Sequence, residues 1–133
     1  MEGVSRTLDF AFADFATANA FRYLSEDETG YLKAHPDKKA ELLGDADRLV
    51  QRVERAVPSQ FSKQHGLMLP KKFDGSFAHD FSPVEWGKGY VEGNAWHHSF
   101  PPYALDILVK QYGGKDQLLA KLHELVGVTS DFR

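Results

Sequence analysis

A mainly α-helical domain is predicted for this chain, on three observations. Four stretches (4–24, 37–56, 103–112 and 115–126) carry apolar residues at spacings of three and four, the repeat of a helix with one buried face. Glycine and proline crowd into residues 57–90 and recur at Gly113-Gly114, where helices would stop. With 42% hydrophobic and 13% aromatic residues, the chain has enough apolar side chain to bury a core, which excludes disorder. At 133 residues it is expected to be one domain, 1–133.

The first helix is expected from Val4 to about Leu24, with Leu8, Phe12, Phe15, Ala16, Asn19 and Tyr23 recurring along it. Ser5 can cap its start, because a hydroxyl can accept from the free amides of a first turn. Asp9 and Asp14 fit a solvated face. Residues 25–36 are polar, contain Gly30 and Pro36, and predict a loop. A second helix follows from about Asp37 to Ala56, with Leu42, Leu43, Ala46, Leu49, Val50 and Val53 as its stripe. Its basic residues alternate with Glu41, Asp45, Asp47 and Glu54, the pattern of a salt-bridged surface.

Residues 57–90 are too punctuated for a long element. Phe61, Leu67, Met68, Phe73, Phe77, Phe81 and Trp86 predict a loop pinned to the domain by its apolar side chains. Pro102 suits a helix start. Tyr103 to Tyr112 then shows Leu105, Leu108, Val109 and Tyr112 on one side, ended by Gly113. Lys115 to Val126 is a further amphipathic helix with Leu118, Leu119, Leu122 and Leu125 as its stripe, and His123 beside it in a structural role.

Several functions are excluded. A net charge of −3 without a basic stripe argues against nucleic acid. No apolar run approaches the roughly 18 residues of a membrane span. The absence of cysteine rules out disulfides and leaves the redox compartment undetermined. The N-terminus lacks a basic-then-apolar signal segment. His65, His79 and Asp80 match no closed zinc motif and fit a surface role.

The chemistry gathers in 89–100, where Glu92, two glycines, Asn94, three aromatics and the pair His97-His98 fall within twelve residues. A carboxyl near indole and other apolar surface loses hydration, which raises its pKa and suits it to general-acid work near neutral pH. Aromatic rings suit the apolar faces of a sugar. The same spacing also fits a Gly-rich turn whose aromatics anchor a core. His97 and His98 could ligate a metal, but neighbours on a turn usually point apart; a sugar hydrogen bond is the other role open to them.

Tyr90-Val91-Glu92-Gly93-Asn94-Ala95-Trp96 resembles the Y-x-E-G-N-A-W signature of glycoside hydrolase family 92, the calcium-dependent exo-α-mannosidases. In the same order, 3–12 resembles that family's G-V-S-x-T-L-E-Y-A-Y helix start, 66–71 its G-F-M-x-P-R turn and 74–77 its D-G-S-W/F, and Gly113-Gly114 falls where a G-G precedes a helix. Residues 101–104 depart from the family's V-P-H-D, where distal sugar contacts would set linkage preference.

The resemblance implies a central fragment of the family's (α/α)6-barrel catalytic domain, with four helices and a long aromatic-rich loop before the acidic motif. It implies an inverting, exo-acting α-mannosidase of the α-1,2 type acting on α-mannoside glycans. Glu92 would be general acid, with substrate contacts from Asn94, Trp96, His97 and His98. Members are typically secreted or periplasmic in bacteria; the chain itself leaves location open.

The family's catalytic aspartate block has no counterpart in this sequence. Asp106, Asp116 and Asp131 are scattered and form no calcium loop, so the implied calcium would take most ligands from outside this segment. The isolated chain is therefore expected to be inactive and to need the remainder of its parent. The alternative is a non-catalytic helical carbohydrate-binding or interaction module.

Overall fold

Two long helices carry the fold, and a short one connects them. They are α1 (Gly3–Ser25), α2 (Gly30–Ala34) and α3 (Pro36–Gln60). The computed structural model describes residues 3–27, 30–78, 82–87, 89–91 and 93–130, with backbone alone at 128–130. Arg22 pairs with Asp47 at 3.1 Å and Asp14 with Arg52 at 3.0 Å, so α1 and α3 run antiparallel. Such paired helices are the repeating unit of an α/α barrel, and the mainly helical expectation holds.

Val4, Leu8 and Ala11 of α1 meet Val53 and Val57 of α3 in the main core. The face buried on α1 differs from the expected one. Phe12 and Tyr23 are 55% and 77% exposed, while Val4, Ser5, Leu8, Ala11 and Ala18 are buried. Aromatic, leucine and alanine side chains are spread around this helix among its charged ones, so periodicity alone could not choose its inward face. Asp14 does not sit on a solvated face either: its carboxylate is largely covered where it meets Arg52.

α3 starts at Pro36, whose missing N–H costs nothing in a first turn. It also runs past Ala56 to Gln60 with Pro58 in its last turn, so Pro58 does not end it where expected. α2 occupies part of the segment expected to be loop. There the Tyr31 and His35 rings stack at 4.1 Å, and His35 Nδ1 lies 2.9 Å from the Tyr31 carbonyl.

After α3 the chain forms a small antiparallel hairpin, β1 (Phe61–Ser62) with β2 (Leu67–Met68), in the register Phe61 to Met68 and Ser62 to Leu67. A further bridge joins Lys71 and Phe77. Phe61, Leu67 and Met68 are buried and Phe77 packs against them, as a pinned loop requires. Phe73, at 99% exposure, and Trp86, at 63%, are not part of the buried core. Phe81, His79 and Asp80 lie outside the described residues; His65 is exposed.

The rest is α4 (Ala95–His98), a 3-10 turn at Pro102–Ala104, α5 (Leu105–Tyr112) and α6 (Lys115–Ser130). Gly113 ends α5 in a left-handed conformation, and the Gly114 N–H donates to the Val109 carbonyl at 2.9 Å. Leu108 and Leu118 are buried, whereas Leu105 and Leu119, placed on the stripes by spacing, are exposed, and so is His123. No described helix is long and apolar enough to cross a membrane.

Candidate active site

The acidic motif is built from the hairpin upward. Tyr90, 1% exposed, donates its phenol to the Met68 carbonyl at 2.6 Å. The Met68 N–H donates to Ser99 Oγ at 2.8 Å, and that hydroxyl donates to the Ala95 carbonyl at 2.5 Å. One edge of β2 thereby holds the residues on both sides of the motif. Burial pushes the Tyr90 phenol far above its ordinary pKa, so it stays a donor at any physiological pH.

From the other side, α1 holds the loop. The Val4 N–H donates to the Gly89 carbonyl at 3.3 Å, and the Val91 N–H donates to Ser5 Oγ at 3.0 Å. Ser5 is therefore no helix cap: the helix begins at Gly3, and its buried hydroxyl faces the motif. Ser5 Oγ also lies 3.5 Å from His98 Nε2.

Gly93 has φ +74°, which disfavours any side chain, and a Cβ there would sit 3.2 Å from His97 Cβ and Cγ, so the imidazole would have to shift by a few tenths of an ångström. The Gly93 carbonyl accepts from the Gly87 N–H at 3.2 Å. Asn94 is the N-cap of α4: its Oδ1 accepts from the Trp96 and His97 amides at 3.1 and 3.3 Å, and its Nδ2 donates to the Val84 carbonyl at 3.3 Å. Trp96, 8% exposed, lies under the Lys121 ammonium at 4.8 Å and stacks on Phe100.

Of the site residues named from sequence, Asn94 and Trp96 are thus buried and committed to contacts within the chain. His97 is exposed, with Nδ1 2.9 Å from Asn94 Oδ1. His98 is half-buried and stacks on Tyr90 at 5.0 Å. Both imidazoles line a shallow groove with Asp9, Phe12, Pro101 and Tyr103. The Tyr103 phenol donates to the Leu8 carbonyl at 2.8 Å, and burial with the nearby Asp9 carboxylate pushes its pKa up to about 12. Glu92 lies outside the described residues; its neighbours Val91 and Gly93 are the two that α1 and Gly87 hold.

Trp86 was not singled out from sequence as a site residue. It meets His97 edge-on at 5.5 Å, with its indole mostly in solvent. A tryptophan six residues before Glu92, in a Gly-punctuated loop, was the available signal. Among the described residues no group of three or more His, Asp or Glu gathers to hold a metal ion. The oxygen donors among the described residues do not gather into a calcium site.

The mainly helical scaffold, with its paired helices and pinned loop, agrees with a piece of an α/α-barrel domain. The family model described as the glycosyl hydrolase family 92 catalytic domain matches residues 1–132, and the chain belongs to that family. Comparison with curated proteins finds no match.

Proposed function

We propose that this chain supplies the general-acid half of an inverting, calcium-dependent exo-α-mannosidase site, with Glu92 as the acid. The observation that carries the proposal is the double anchoring around that position: Val91 is held by Ser5, and Gly93 by Gly87. A catalytic group on a loop must be held by a rigid scaffold. In this arrangement His97 and His98 touch the sugar from the groove. Asn94 and Trp96 act through them, by starting α4 and by fixing its underside.

Inversion needs two carboxyl functions about 6.5–9.5 Å apart, one protonating the leaving oxygen and one activating water. The family's base block has no counterpart in this sequence, so the base and most calcium ligands come from outside the segment. Any calcium would be held mainly by residues outside this segment and would supply a positive charge for sugar hydroxyls. This chain's residues orient the leaving sugar and carry the proton delivered to its oxygen.

The test is hydrolysis of α-1,2-mannobiose by the purified chain with calcium, followed by proton NMR. No turnover is expected from the chain alone. Turnover that Glu92→Gln abolishes would show that the base is already present and would overturn the division of labour. The exposed Trp86 beside His97 favours a second reading, a sugar-binding module without chemistry. It requires sugar binding that survives Glu92→Gln and needs no calcium.

A further inference from the structure

We infer that Trp86 is the stacking platform for the sugar ring that leaves, and so a specificity-determining residue of this site. The inference rests on the proposed acid role of Glu92 and adds a contact on the leaving-group side of the bond.

Tryptophan is highly buried on average, because its large apolar surface is costly to leave in water. Trp86 is 63% exposed, and Val84 and Val91 on either side of it in the sequence are 38% and 59% exposed. Two hydrogen bonds nonetheless tie the described residues on either side of it. Asn94 Nδ2 donates to the carbonyl of Val84, two residues before the indole, and the Gly87 N–H donates to the carbonyl of Gly93, next to the acid position. His97 meets the indole edge-on at 5.5 Å, and most of the side chain is exposed.

A platform needs an open aromatic face at low ordering cost, and a rigid ring on a pinned loop provides one. The π-face is electronegative, and the C–H groups on the apolar face of a pyranose are weakly positive, so the two attract as well as exclude water. Position selects which sugar is held. A general acid donates to the oxygen that joins the two rings, so an indole tied to the acid's own loop lies within reach of the leaving ring. The Gly87–Gly93 hydrogen bond makes that tie for Trp86.

The chain has two tryptophans, so indole N–H resonances give a direct readout on the whole protein. Trp86→Tyr assigns the Trp86 signal, and Trp96, being buried, is the internal reference. Titration with α-1,2-mannobiose is expected to move the Trp86 signal. Trp86→Ala should weaken mannobiose binding by about tenfold or more, as loss of a central aromatic contact does. Methyl α-mannoside, which has no second ring, should bind the variant within about twofold of wild type, and Trp86→Tyr should restore most of the mannobiose affinity. Phe73→Ala removes another exposed aromatic on a separate turn and should change neither.

Mannobiose binding that Trp86→Ala leaves intact would overturn the inference while leaving the α-mannosidase proposal in place. A Trp86 signal unmoved by any pyranoside would overturn it as well. Binding of another pyranoside class through Trp86, with no response to α-mannosides, would support the platform and overturn the mannoside proposal.

Discussion

Ser5 and Val91, 86 positions apart, are joined by a 3.0 Å hydrogen bond from the Val91 amide to the Ser5 hydroxyl. The bond ties the first helix to the residue just before the proposed acid. Two segments that resemble the same family and lie far apart in the sequence are thus one structural unit.

Ser5→Ala removes the acceptor. A backbone N–H that loses its partner costs about 1–3 kcal/mol when buried, and the partial exposure of this one places the effect near 1 kcal/mol. The urea midpoint should fall accordingly, and the Val91 amide should exchange faster with solvent. Unchanged exchange at Val91 would show that Ser5 does not hold the loop.

Gly93 and Gly87 separate two costs of adding a side chain. Both have positive φ, at 74° and 82°, but only at Gly93 would a Cβ meet a neighbour, His97 at 3.2 Å. Gly87→Ala should cost about 1–2 kcal/mol from the left-handed conformation alone. Gly93→Ala should cost more and also shift the His97 resonances. Equal losses in thermal denaturation would contradict the close approach.

Asn94→Ala should destabilise by about 1–2 kcal/mol through loss of the α4 cap. Asn94→Asp keeps the accepting oxygen and should recover much of that loss, though not the bond to Val84. If both variants matched wild type in chemical denaturation, the cap would be energetically idle.

Three tyrosines set an alkaline limit. Tyr90, Tyr103 and Tyr112 all have pKa values raised chiefly by burial, Tyr103 to about 12. A folded pKa above the unfolded value of about 10 stabilises the fold fully below pH 10, and the contribution is lost as pH rises through the folded value. Stability should therefore fall between about pH 10 and 12, with tyrosinate absorbance from these residues rising as the protein unfolds. Full ionisation at pH 10 with the fold intact would contradict the buried phenols.

Helical class and most element positions were legible in the sequence because α3, α5 and α6 alternate apolar and polar residues at the helical repeat. The inward face of α1 was not, since Phe10, Phe12, Leu8 and Ala11 are interchangeable to a periodicity count. Ser5 was placed on the right helix but in the wrong role, because a serine near a helix start has the same sequence signature whether it caps or reaches a distant loop. The motif residues were legible as a group. Their division into buried Asn94 and Trp96 and groove-lining His97 and His98 depends on how α4 turns, and no spacing carries that. Trp86 was counted with the core aromatics, where most tryptophans belong.

The central claim is that Glu92 donates the proton to the leaving oxygen. Its most direct test is the leaving-group dependence of the Glu92→Gln variant, in a complex of this chain with a polypeptide carrying the family's aspartate block. General-acid catalysis contributes about 10²–10⁴-fold, so hydrolysis of α-1,2-mannobiose should fall by that order. An aryl α-mannoside whose phenol leaves without protonation should lose far less. Equal losses on both substrates, or none on either, would contradict the assignment of Glu92 as the acid.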